Sequence, residues 1–320
     1  MRGVSHLYEP YLLVFVLSIY DIFGFTSEKY RTHDSNPGVV KVSYGGVCRN
    51  IAENMARVGL NTKFISYLGN DGKARAMMDH AKKMNFDMSE SLIVDGASTP
   101  TYMAILDEHG EMVSAVVDID MDDYVTTGFV ESRAKTIEGA EYVFFGADQP
   151  QIIEYIVKTF QGKTKFVMDP VSGPKAQQIK HLLPYFHTFK PNRQEAEAIC
   201  GFALDSEEAV KKAGHYFFGL GIEHVFIRLA EGGIYYKTAT EEGLIKTKKA
   251  NVVNVTGAGD SFNLGLGYGY IHGLSVVDTV KFAQTMAILT ISHEETICPD
   301  LDLETVKKAC EAMIWEEIVF

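Results

Sequence analysis

Asn254-Val255-Thr256-Gly257-Ala258-Gly259-Asp260 leads straight into a long apolar stretch, and this junction carries most of what the sequence says about fold and chemistry. Gly257 and Gly259 let the chain turn tightly and leave bare N–H groups facing outward. The stretch that follows predicts a helix over 258–272, whose positive dipole end would stand at the same place. Gly257, Ala258 and Gly259 would then form an anion hole suited to charge developing on a phosphoryl group in transfer. Asp260 falls in the first helical turn beside that hole, where a carboxylate can accept the proton of an attacking hydroxyl. A plainer reading stays open: the glycines permit close helix packing and Asp260 partners the helix dipole.

Outward from this junction, short apolar runs alternate with amphipathic stretches. Strands are predicted over 12–17, 63–68, 142–145, 165–168, 188–190 and 224–228. Helices are predicted over 47–58, 72–84, 151–160, 193–200, 206–219, 258–272, 276–291 and 303–314. Strands apolar throughout and spaced by helices imply a doubly wound α/β domain, its mostly parallel sheet flanked by helices on both faces. One region breaks the rhythm. Residues 99–107 and 111–120, joined by Glu108-His109-Gly110, read as a β-hairpin, and 41–44 as a further short strand. Inserted segments at about 36–45 and 97–121 would make a small β lid on a single domain spanning 11–320. Residues 1–10 read as a tail with no assigned role.

A second glycine-led helix start lies at Gly45-Gly46-Val47-Cys48-Arg49-Asn50-Ile51-Ala52-Glu53-Asn54. Asn50 and Asn54 are i, i+4 neighbours, and asparagine is a mediocre helix former, so the pair invites explanation. Paired amides can bind sugar hydroxyls. The alternative is a polar helix face with an Arg49–Glu53 pair. Gly162-Lys163-Thr164 is no P-loop, because Val157 stands where glycine is needed and a strand follows. Gly265, Gly267 and Gly269 lie inside a predicted helix and suit close packing rather than dinucleotide binding. The ten histidines show no metal-ligand spacing.

The chain has 320 residues, 46% of them hydrophobic, with 30 basic against 42 acidic side chains and a formal charge of −12. Such an acidic balance argues against binding nucleic acid or an anionic membrane. Cys48, Cys200, Cys298 and Cys310 form no close pair, as expected of reduced thiols in a cytoplasmic protein. The apolar run 11–20 is too short to span a bilayer and lacks a signal-peptide cleavage site, so it reads as a buried strand.

Taken together, the Gly-Gly…Asn segment at 45–59 and Thr-Gly-Ala-Gly-Asp at 256–260 resemble the two signature regions of the ribokinase-like (PfkB) carbohydrate and nucleoside kinases, in order and in separation. The resemblance implies a ribokinase-like fold and transfer of the ATP γ-phosphate to a hydroxymethyl group. It further implies Asp260 as base, with Gly257, Ala258 and Gly259 in the catalytic anion hole. Asp21, Gly45, Gly46 and Asn50 would bind substrate. Asn192, Arg228, Glu231, Gly233, Thr256, Gly257 and Gly259 would bind ATP, and Glu195 with Asp169 would hold Mg2+ through water. Ala230 replaces the common glycine of the nucleotide loop. Asn254 stands where many relatives carry the aspartate that helps bind a potassium ion, so a monovalent cation should matter less here.

Within the family the likeness is greatest to pseudouridine kinases, through 45–54, the hairpin Thr101–Asp107 followed by Val116–Met121, and Glu294-Glu295-Thr296. Asp118 and Asp120 could then offer acceptors to an NH-rich base, unless they face water. The expected acceptor is the 5′-hydroxyl of pseudouridine. Ribose, a ketohexose or adenosine are the other substrates implied, and a non-catalytic nucleoside-binding protein is the remaining alternative. Exposed lid strands tend to pair, which suggests a homodimer through the lids.

Overall fold

The computed structural model describes residues 9–119, 123–247 and 252–320. Its strands, in chain order, are β1 (Leu12–Val16), β2 (Ile19–Thr26), β3 (Gly38–Gly45), β4 (Thr62–Gly69), β5 (Leu92–Val94), β6 (Thr101–Leu106), β7 (Met112–Asp118), β8 (Tyr142–Gly146), β9 (Lys165–Asp169), β10 (Thr188–Phe189), β11 (His224–Arg228), β12 (Ile234–Lys237), β13 (Glu242–Thr247) and β14 (Trp315–Val319). Ten form one sheet in the order β14-β13-β12-β11-β10-β9-β8-β1-β4-β5. From β11 to β5 every pairing is parallel, and β12, β13 and β14 extend the edge antiparallel.

Because side chains alternate across a strand, β1 feeds both layers of the core. Leu13 and Phe15 pack with Ile153, Ile156, Ile199 and Phe217 from helices Pro150–Thr159, Arg193–Cys200 and Glu207–Gly219. Leu12 and Val14 face the other way, onto Ile51, Met55, Leu264 and Met286 of helices Val47–Arg57, Ala258–His272 and Val276–Ile291. Each such large side chain, fully buried, contributes about 1.5–3 kcal/mol. A Cβ on Gly265 would overlap Ala283, and one on Gly269 would overlap Thr279, so these glycines serve close packing of the Ala258 and Val276 helices as expected.

The remaining strands form a small separate sheet, β3-β2-β6-β7. β2 corrects the sequence reading of 11–20 as one buried strand. That strand ends at Val16, Ser18 turns inward to share a 2.7 Å hydrogen bond with Ser66, and the chain re-enters extended structure at Ile19. Asp21 therefore sits inside a strand of the small sheet, between β3 and β6. Of the predicted tail only residues 9 and 10 are described, and Asp120 with Met121 of the predicted lid lie outside the described residues. Among the described residues no helix is long and apolar enough to cross a membrane.

Candidate active site

Gly257 caps the Ala258 helix at φ 82°, and a Cβ there would overlap the carbonyl of Thr296, so both turn and neighbour demand glycine. Asn254 secures the approach. Its Oδ1 accepts from the Thr256 amide at 2.9 Å and its Nδ2 donates to the Glu294 carbonyl at 2.8 Å. Asp260, in the first turn, is only 8% exposed. The Val47 helix, which starts from Gly46 at φ 94°, packs against the same end. From it Asn50 donates through Nδ2 to Asp260 Oδ2 at 2.8 Å. Burial, reinforced by the Asp169 carboxylate, raises the Asp260 carboxyl to about 6; Asn50, Lys190 and Arg228 pull the other way.

Opposite Asp260 the ends of β9, β10 and β11 deliver buried charge. Lys190, wholly buried, donates to Asp169 Oδ2 at 2.5 Å and to the Gly259 carbonyl at 3.1 Å. Asn263 donates to the same Asp169 oxygen at 2.7 Å. Lys190 and Arg228 hold the Asp169 carboxyl below its ordinary value against strong desolvation. Among the described residues, Arg228 Nε and Asn263 Oδ1 are buried here without a partner. Buried polar groups of this kind are nearly always hydrogen-bonded, so both atoms remain able to bond a ligand.

Asn192 and Glu195 form a capping box at the start of helix Arg193–Cys200. Asn192 donates from its backbone nitrogen and its Nδ2 to the two oxygens of Glu195, at 2.7 and 2.8 Å. The motif thus has a folding role whatever else it does. A cavity of about 630 Å³ opens beside it, lined among others by Asn192, Arg228, Glu231, Gly233, Val255 and Ala258. Its size and mainly apolar walls suit a nucleotide-sized ligand. Ala230, on the same rim, holds φ 53°, which a glycine would adopt without strain.

On the other flank Asp21 lies against Gly45, where any Cβ would overlap its carboxylate, and burial lifts this carboxyl to about 6. The register of the small sheet sets Ser43, Asp21, Tyr102 and Val117 on one face. Tyr44, Tyr20, Thr101 and Asp118 share the other. Asp118 therefore corrects the expectation that it joins the substrate residues: the pleat turns it away from Asp21, into solvent. The Arg49–Glu53 pair, read as a polar helix face, is in fact buried, at 5% and 2% exposure.

The fold brings together Asp260, Gly257, Gly259, Asn50, Arg228 and Asp169, with Asp21, Gly45 and Gly46 on one side and Asn192, Glu195, Glu231 and Gly233 on the other. Sequence reasoning missed Lys190 and Asn263. A lysine ending a buried strand, and an asparagine one turn past Asp260 in an apolar helix, were the available signals.

Comparison with known proteins follows the same lines. The sequence profile of the pfkB family carbohydrate kinases matches residues 10–302. The pseudouridine kinase of Escherichia coli strain K12 is 32% identical over 300 residues, covering 93% of this chain and 96% of its own. The guanosine-inosine kinase of Exiguobacterium acetylicum is 24% identical, covering 88% and 94%. A crystal structure of a candidate sugar kinase from Clostridium perfringens superimposes with a TM-score of 0.95 at 52% identity, covering 98% and 99% of the two chains. A matched profile spanning both glycine-led helix starts and the residues that line the cavity leaves one conclusion: the chain belongs to the pfkB family of carbohydrate kinases, phosphotransferases that act on a hydroxyl group.

Proposed function

We propose that this kinase transfers the γ-phosphate of ATP to the 5′-hydroxyl of pseudouridine, giving pseudouridine 5′-phosphate. The observation that carries the mechanism is the Asn50–Asp260 contact at a glycine-capped helix end, facing Lys190 and Arg228. The 32% identity to a pseudouridine kinase over nearly the whole chain supports the choice of acceptor.

In this reading ATP occupies the cavity lined by Asn192, Arg228, Glu231 and Gly233, and Thr256, next in the chain to the lining Val255, also contacts it. Its terminal phosphate meets the Gly257–Gly259 amides and the cations of Lys190 and Arg228, which stabilise charge in the transition state. Asp260 takes the proton of the attacking hydroxyl, and a carboxyl near 6 is mostly ionised at neutral pH yet more basic than a free one. Asp21, Gly45, Gly46 and Asn50 orient the ribose. The small sheet acts as a lid that keeps water from wasting ATP.

Among the described residues no group of three or more His, Cys, Asp or Glu could cage a metal. Asp169 is engaged by Lys190 and Asn263, and Glu195 by Asn192. Asp169 and Glu195 would then hold magnesium through water rather than by direct ligation. Once bound, the ion would neutralise charge on the phosphate oxygens.

The face of the lid turned away from Asp21 would be covered by a second copy of the chain, giving a homodimer. Four free cysteines are in keeping with a cytoplasmic setting.

The test is a panel of pseudouridine, ribose, adenosine, inosine, guanosine and fructose with ATP and magnesium. Pseudouridine should give the highest kcat/KM, and preference for any other acceptor overturns the substrate. Asp260→Asn should lose at least about two orders of magnitude in turnover; an undiminished rate overturns the mechanism.

A further inference from the structure

We infer that Arg49 is a positioning residue for the transfer, acting through Asn50 on Asp260. This rests on the reading of Asp260 as the base. An asparagine amide has an oxygen end and a nitrogen end of nearly equal shape, so something must decide which one faces the carboxylate. Here Asn50 lies between two groups of opposite demand. Asp260 Oδ2 accepts from Nδ2 at 2.8 Å, and Arg49 Nη1 donates to Oδ1 at 3.3 Å. A guanidinium carries five N–H donors and no acceptor, so only the oxygen end can face it. A reversed amide would set an NH2 against the guanidinium and its oxygen against a carboxylate.

The guanidinium is itself held from several sides. Nη1 also donates to the Tyr44 carbonyl at 2.8 Å, at the point where β3 leaves the small sheet. Nη2 is paired with Glu53 one turn on. Glu53 is fixed in turn by Arg57, through Nε at 3.0 Å and Nη2 at 2.7 Å, and by His80 Nε2 at 2.7 Å from the Gly72 helix (Gly72–Lys83). Arg49 and Glu53 are almost fully buried. Burial, with the charge of Arg57 beside it, lowers Arg49 to about 9, which leaves it charged at neutral pH. A buried charge of this kind is costly unless its geometry is complete. The chain Glu53–Arg49–Asn50–Asp260 completes it and ends on the carboxylate proposed to take the proton.

A double-mutant cycle on kcat, with ATP and the best acceptor of the panel, tests this. Arg49→Lys keeps the charge but loses the planar fork, and should lower kcat about tenfold, the scale of one hydrogen bond to a charged group. Asn50→Ala should lower it by about thirtyfold. The double variant should match Asn50→Ala alone, because Arg49 acts only through that amide. Losses that multiply, to about three-hundredfold, would show a general structural role and overturn the inference. If Arg49→Lys does not fold, Glu53→Gln enters the same cycle, with a smaller loss of kcat that must likewise vanish in the Asn50→Ala background. An active Asp260→Asn sinks the underlying mechanism, whereas an inactive Asp260→Asn with multiplying losses sinks the positioning role alone.

Discussion

A Cβ placed on Gly259 would stand 3.1 Å from Arg228 Nη2, with Lys190 Nζ at 3.2 Å. The two cations thus reach the helix end through space that any side chain would take. Alanine here gains helix propensity but must push the cations back by a few tenths of an ångström. Gly259→Ala should keep its melting temperature within a few degrees while KM for ATP rises and kcat falls by about an order of magnitude. Gly257→Ala should differ, because its φ is 82° and its Cβ would overlap a backbone carbonyl. That variant should lose about 1–3 kcal/mol or more of stability, read by thermal unfolding. Unchanged ATP kinetics in Gly259→Ala would show that the cations do not meet the phosphates.

The carboxyls of Asp260 and Asp21 both sit near 6, each raised mainly by burial. A base works only when ionised, so kcat/KM should rise with pH through about 6 and level above it. Asp21→Asn should weaken substrate binding yet keep that rising limb, because Asp260 still titrates. A limb that disappears in Asp21→Asn would move the titrating group from Asp260 to Asp21. The stability effect runs with the opposite sign. Both groups bind protons more tightly in the folded than in the unfolded chain, so their contribution is full below about pH 4 and fades as pH rises through 6.

Residues close in sequence were readable because their chemistry is local. Glycines opening a helix, a hairpin with alternating strands and an acid in a first helical turn all announce themselves within ten residues. β2 was not readable, because Asp21 and Gly24 inside an otherwise apolar run look like a strand ending rather than one crossing to a second sheet. β12, β13 and β14 are short and partly polar, and gain their partners only from the sheet edge. Lys190 and Asp169 meet across 21 residues, and Asn50 and Asp260 across 210. Which face Asp118 takes depends on register with β6, a property of the pair of strands and not of either alone.

Asn254 spends both ends of its amide on the backbone, at the Thr256 nitrogen and the Glu294 carbonyl. A neutral donor bridging those segments does work that a bound cation would do beside an aspartate. Turnover should therefore agree within about twofold in potassium and in tetramethylammonium buffers, since among the described residues no buried carboxylate adjoins Asn254 to call for a counter-ion. Asn254→Asp should introduce a dependence on potassium. Strong activation of the unmodified enzyme by potassium would contradict this account.

The small sheet leaves large apolar side chains in water on both faces, Val39 and Val117 on that of Asp21 and, on the opposite face, Val40 at 69% exposure, Val116 at 60% and Val42 at 50%, with Met103 in register beside Val116. A contiguous patch of this kind is unusual on a monomer and marks a contact surface. Its strands β3 and β7 are also sheet edges, which carry unpaired backbone groups. A second copy of the same sheet would cover both while leaving the Asp21 face to the substrate. Sedimentation at micromolar concentration should give a dimer, and Val40→Lys combined with Val116→Lys should give a folded monomer, because lysine in a desolvated apolar contact is disfavoured. If Asp21 binds the acceptor as proposed, the monomer should bind it more weakly, since the lid loses its support. A wild-type protein that sediments as a monomer, or a double variant that stays dimeric, would exclude this face as the interface.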